Sequence, residues 1–312
     1  MAYSFILITG VFFVILTGIT IGFFLVRSHR VIYLNKKGLR FKNWEMWDDA
    51  IRCFQQALDN DPAHALTHYN LGFVLYYGKK LPDAAIEEFE AAVKKDTKMA
   101  PAYYALGHAL FHKKGESERA KLALQKAIKI NPSLAQAYNT LGLIDIKQEN
   151  WKKAIEHFRT AIEINKSFES AYCNLSIALV YQGRNAEAIE YAQKFAELNP
   201  GSSLAHNNLG NIYGACGMKN DAVEELLVSL SINPNDWNVH FWLGCLRLQM
   251  KEFKKAAASF HEALRLRGDF ALAHYNLALC YEQDGNREFA REHIERAIEQ
   301  NPALGENLIQ EV

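Results

Sequence analysis

Residues 135–168 read AQAYNTLGLIDIKQENWKKAIEHFRTAIEINKSF, and most of the chain is built of variants of this stretch. A small residue recurs near the start of each copy: Gly38, Gly72, Gly107, Gly142, Ser176, Gly210, Gly244 and Ala278. An alanine recurs in each second half: Ala50, Ala85, Ala120, Ala154, Ala188, Ala222, Ala256 and Ala290. The interval is 34 residues, apart from two single-residue insertions. Such a period marks a stacked solenoid, whose units bury their apolar stripes only against neighbouring units. Within the stretch, Tyr138, Leu141, Gly142, Ala154, Phe158 and Ala161 recur at helical steps, which puts them on one face of each of two helices. The small residues let those two helices approach closely.

These six residues fit the pattern W-x-x-L-G-x-x-Y…A-x-x-x-F…P. Over residues 31–304 the chain resembles the tetratricopeptide repeat (TPR) family. The copies are 31–64, 65–99, 100–134, 135–168, 169–202, 203–236, 237–270 and 271–304. The resemblance implies an all-α fold, a right-handed TPR superhelix of eight helix-turn-helix repeats. It also implies that the first helix of each pair lines a concave groove. It implies no chemistry.

Composition narrows the function classes. Lys plus Arg equals Asp plus Glu, 35 against 35, so no overall field recruits nucleic acid. The five cysteines, Cys53, Cys173, Cys216, Cys245 and Cys280, form no C-x-x-C pair, which argues against a zinc site or a redox couple. No glycine-rich phosphate loop, G-x-S-x-G elbow or H-E-x-x-H motif occurs. No enzyme activity, cofactor or metal is expected. His68, His206, His240 and His274 recur at one position of the repeat, as packing residues do, and His108 and His112 lie four apart on one helical face.

Before the repeats, residues 5–26 run FILITGVFFVILTGITIGFFLV without a charge. At about 1.5 Å per residue this spans roughly 30 Å, the thickness of the hydrocarbon layer. No basic residue precedes it, whereas Arg27, Arg30, Lys36, Lys37, Arg40 and Lys42 follow it. That order predicts an uncleaved membrane anchor over 1–30, with the N-terminus outside and the repeats cytoplasmic. The expected location is a single-pass protein of a bacterial inner membrane. Gly18 and Gly22 have the spacing through which two membrane helices pack, which allows a homo-oligomer. Residues 305–312 are too few for another repeat and are expected to form a short cap. The two insertions are expected between paired helices, near Pro82 and around Gly115 to Glu118.

The family resemblance also implies which positions face the groove: the second, fifth, sixth, ninth, twelfth and thirteenth of each copy. The basic pair by which some TPR domains grip a chaperone's C-terminal carboxylate is missing, since position two reads Ile32, Leu66, Pro101, Gln136, Ser170, Leu204, Asn238 and Leu272. Two other features stand out. Tyr69, Phe73, Tyr76, Tyr77, Tyr104, His108, Phe111 and His112 form an aromatic cluster in the second and third copies. Asn139, Asn174, Asn207, Asn208 and Asn211 form a neutral polar series. The position-six residues Asn70, Asn174, Asn208 and Asn276 are similar to the asparagine ladder of O-linked N-acetylglucosamine transferases, which binds extended peptide backbone.

The expected function is therefore a membrane-anchored scaffold that binds a protein or peptide partner in its groove. The aromatic residues would anchor that partner and the asparagines orient it. Two further roles fit the layout. One is a regulator of lipopolysaccharide assembly acting through an enzyme's turnover, although the paired C-x-x-C motifs of that resemblance are absent. The other is an organelle scaffold like those coating magnetosomes.

Overall fold

The computed structural model describes residues 26–304. Among them are sixteen helices and no strand. They are α1 (26–43), α2 (Trp47–Asn60), α3 (Ala65–Phe73, running on into a π turn at Val74–Gly78), α4 (Pro82–Lys95), α5 (Ala100–Phe111), α6 (Ser117–Ile130), α7 (Ala135–Lys147), α8 (Trp151–Ile164), α9 (Glu169–Tyr181), α10 (Asn185–Leu198), α11 (Ser203–Ala215), α12 (Lys219–Ile232), α13 (Trp237–Gln249), α14 (Phe253–Leu266), α15 (Ala271–Gln283) and α16 (Arg287–Gln300). Odd-numbered helices are the first of each repeat, here A helices; even-numbered ones are B helices. The chain divides into two compact units at Ile144/Asp145, within α7.

The recurring alanines are buried in every copy, seven of them completely and Ala290 nearly so. On α8 the buried set is Ala154, Ile155, Phe158, Ala161 and Ile162, the narrow stripe of an amphipathic helix. The small residues on the A helices meet the B helices. A Cβ on Gly72 would stand 2.8 Å from the Phe89 ring, and one on Gly210 would stand 2.8 Å from Leu226. In the first unit the core runs through Phe89, Leu106, Leu110, Leu124, Leu141 and Ile144. In the second, Ala222, Leu226, Val239 and Leu243 form one cluster, and Phe241, Phe260, Ala263 and Leu277 form another.

Junctions follow from short polar side chains. B helices end at Asp61, Asp96, Asn131, Asn165 and Asn233, whose side-chain oxygens each accept the backbone N–H two residues on. Such Asx turns reverse the chain without a long loop. Every A helix ends before one left-handed residue: Glu45, Lys80, Gly115, Glu149, Gly183, Gly217, Lys251 and Gly285.

Two expectations change. The extra residue of the second copy does not fall near Pro82. It lies upstream of Lys80, absorbed as the π turn Val74–Gly78, where Lys79 N–H bonds the Val74 carbonyl at 3.0 Å. The third copy does widen its turn, between Phe111 and Ser117. The expected membrane location is also corrected, because no helix among the described residues is long and apolar enough to cross a membrane. The A and B helices from α2 onward reach at most 14 residues, about 21 Å against roughly 30 Å of hydrocarbon, and α1 carries six Lys and Arg side chains. The segment 5–26, apart from Val26, and the cap at 305–312 lie outside the described residues.

Candidate functional site

The open face of the A helices carries the positions singled out by the repeat. In the first unit α3 and α5 bring most of the aromatic cluster together. Phe73 and Tyr77 are 4.6 Å apart between ring centroids, Tyr76 and Tyr77 4.8 Å, and Tyr104 and His108 5.9 Å. His108 also touches Tyr76 and Tyr77, and stands 4.9 Å from His112, which in turn meets Phe111. The π turn advances Tyr76 and Tyr77 by one residue relative to the regular repeat, which aims them at α5. Burial drives the Tyr104 hydroxyl up to about 12, and burial, then His112, lowers His108. Lys42 of α1 lies 4.6 Å over the Phe73 ring, a cation–π contact. Tyr69 turns towards Phe89, Phe111 is buried, and Tyr77 and His112 are the exposed members of the group.

The asparagines divide. Asn70 is buried and donates to Asn35 Oδ1 of the preceding A helix at 3.0 Å. Asn208 is buried and accepts from Ser176 Oγ at 3.2 Å. Both bonds tie one A helix to the A helix before it. Asn139 is buried and Asn174 half-buried. Asn207 and Asn211 are half-buried, with Asn211 Nδ2 donating to Asn207 Oδ1 at 3.0 Å.

The second unit holds a feature that the sequence reading passed over. A hollow of about 470 Å³ opens between α9, α11 and α13, lined by Ile177, Val180, Tyr181, Gly210, Asn211, Ile212, Gly214, Ala215, Trp242, Cys245, Leu246 and Gln249. No charged side chain lines it. Tyr181 is 69% exposed, Trp242 45% and Ile177 42%. Apart from Asn211, these residues were not singled out, although two signals mark them. At positions twelve and thirteen this copy has Gly214–Ala215, where the fifth has Val180–Tyr181 and the seventh Leu248–Gln249. At position six, four copies have asparagine while the seventh has Trp242. Tyr181 also stacks on Trp151 of α8 at 4.7 Å, which holds the ring upright at the rim.

The histidines are held by repeated bonds. His68 Nδ1 stands 2.6 Å from Glu88 Oε2 and its Nε2 3.1 Å from the Pro62 carbonyl. His206 repeats both bonds with Glu225 and Pro200, at 2.7 and 3.2 Å. Among the described residues no group of three or more His, Cys, Asp or Glu side chains is placed to hold a metal ion. Burial pushes the Cys173 thiol up to about 12 and those of Cys245 and Cys280 to about 11, far from the thiolate a nucleophile needs.

Three family models, each described as tetratricopeptide repeat, match the chain: one at 133–199, one at 45–100 and 241–304, and one at 100–134 and 204–236. No curated protein matches the sequence. Among solved structures, a tetratricopeptide repeat protein from Parabacteroides merdae aligns with a TM-score of 0.64 at 19% identity, over 81% of this chain and 99% of its own. The yeast Tom70 structure aligns at 0.62 and 16% identity, over 84% of this chain and 56% of its own. PilF of Pseudomonas aeruginosa aligns at 0.56 and 24% identity, over 66% and 93%. At these identities the likeness concerns the fold.

Proposed function

The chain is built of tetratricopeptide repeats over most of residues 45–304, and on that premise we propose that it is a non-catalytic scaffold gripping an uncharged, apolar peptide segment of a partner protein. The observation that carries this reading is the hollow at Ile177, Tyr181, Asn211 and Trp242: apolar, about 470 Å³, free of charge and rimmed by exposed rings. Exposed tryptophan and tyrosine provide large apolar area with few torsions to freeze, which is why such residues dominate binding energy. Asn211 and Gln249 offer amide donors and acceptors that match a peptide unit without demanding one side chain. A site without charge bonds its ligand with little salt dependence. In the first unit, Tyr77 and its neighbours Phe73, Tyr76, Tyr104 and His108 are proposed as a second anchoring patch, with Lys42 at its edge.

Peptide selection from a random library on the purified protein tests the reading. Selected peptides should be rich in apolar residues and lose at least about tenfold in affinity on Trp242→Ala, the loss typical of an interface anchor. Enriched peptides that bind the Trp242→Ala and Tyr181→Ala proteins as well as the original would overturn it.

A further inference from the structure

The eighth repeat breaks the histidine arrangement of the second and sixth. In those copies the A-helix histidine faces a B-helix glutamate, Glu88 or Glu225. In the eighth the facing residue is His293, and the two Nδ1 atoms of His274 and His293 lie 2.9 Å apart. We propose that the His274–His293 pair makes the α15–α16 repeat an acid-released element, folded onto α14 near neutral pH and let go as the solution is acidified.

Proton bookkeeping makes the pair directional. The 2.9 Å contact needs one donor and one acceptor between the two Nδ1 atoms. One ring therefore presents Nδ1–H and the other a bare Nδ1 lone pair. A proton placed on the accepting Nδ1 sets two N–H groups against each other. One placed on His293 puts a charge into a buried site, since both rings are buried. A glutamate opposite the histidine would welcome that proton; a second histidine does not.

The surroundings add to this. From α14, His261 and Arg265 face the cavity beside the pair; from α15, Tyr281; from α16, Glu292 and Arg296. Glu292 is the carboxylate in this group, and its Oε1 is held by Arg296 at 2.6 Å. Tyr281 stacks on His293 at 5.7 Å and bonds His261 Nε2 through its hydroxyl at 2.8 Å. Burial first, then His274, His261 and Arg296, lowers His293 to about 4; burial, then Arg296, lowers His274. The sign follows. Both states are neutral above the ordinary value of 6.5, so the packing is at full strength there. As pH falls from 6.5 towards 4 the released repeat takes up protons that the packed one refuses, and release is favoured throughout that window. What is uncovered is the α13–α14 surface at Phe241 and Phe260, now packed with Leu277 and Cys280.

Hydrogen–deuterium exchange on the full chain, corrected for intrinsic rates, is the test. Between pH 7.5 and 5 the protection of α16 amides should drop about 30-fold, the linkage expected of one histidine held near 4. Protection of α4 and α12, whose glutamates face their histidines, should change far less. His293→Glu and His293→Gln should each remove the acid loss in α16. The proposal is overturned if α16 loses no more protection than α4 and α12. It is equally overturned if both variants keep the loss, or if His293→Gln alone keeps it where His293→Glu does not fold.

Discussion

The open faces of α3 and α5 in the first unit, and of α9, α11 and α13 in the second, use the same repeat positions to opposite effect. In the first, Phe73, Tyr77, Tyr104 and His108 fill one another's space. In the second, Gly214 and Ala215 withhold side chains where neighbouring copies have Val180–Tyr181 and Leu248–Gln249, and a hollow results. An aromatic cluster read from sequence counts side chains that are present. A cavity is made by side chains that are missing, and the rings on its rim stay exposed because nothing opposes them.

The largest expected effect tests what the two units share, the close A–B crossing. Gly72→Val and Gly210→Val each drive a branched side chain into a B-helix residue already 2.8 Å from the Cβ position. Each should cost about 3 kcal/mol of local stability. Exchange protection of α3–α4 and α11–α12 would report it. A large loss in one unit and none in the other would end the claim of a common crossing.

Next comes the contrast itself. Tyr104→Ala removes a ring packed among others and should destabilise the first unit by about 2 kcal/mol. Tyr181→Ala removes a ring that is 69% exposed and should stay within about 0.5 kcal/mol, apart from its stack on Trp151. Thermal unfolding of the two variants measures both. Equal losses would mean that Tyr181 is packing rather than rim.

How much of this was legible depends on what the sequence writes down. The eight alanines and the small residues at the A–B crossing are forced by sterics in every copy, so they recur and predict the helix pairs. The π turn is legible only as a 35-residue interval: counting shows that a residue was added, whereas backbone hydrogen bonds decide that α3, not the turn at Pro82, absorbs it. The buried Asn70 and Asn208 share their letter with the half-buried Asn207 and Asn211, and only neighbours 32 to 35 residues away tell them apart. The uncharged run at 5–26 obeys the span rule, but the described helices supply no membrane-crossing segment.

A smaller effect probes the turns. Lys80 and Lys251 hold left-handed backbone with φ of 56° and 61°, where four of the other six copies have glycine: Gly115, Gly183, Gly217 and Gly285. Lys80→Gly and Lys251→Gly each relieve that strain against a greater entropy loss, and a net gain of up to about 1 kcal/mol is expected. Denaturant midpoints should rise alike for both. A gain at Lys251 alone would show that the π turn before Lys80 changes the demand on the residue that follows.

The smallest effect on stability should be the most damaging to binding. Ala215→Phe places a ring at the position where the fifth copy has Tyr181, directly into the hollow and on an exposed residue. Ala215 is exposed and lines the hollow, so no backbone need shift and the packed A–B seam is untouched. Stability should therefore stay within about 0.5 kcal/mol. Occupied by its own side chain, the second unit would then resemble the first, rings against rings. Peptides selected on the original protein should lose affinity at least as severely as with Trp242→Ala, although every rim residue is still present. Loss of affinity with intact stability would establish that the empty volume, rather than any one side chain, is the binding determinant. Undiminished binding would mean that peptides grip Trp242 and Tyr181 from outside, and the hollow would lose its role.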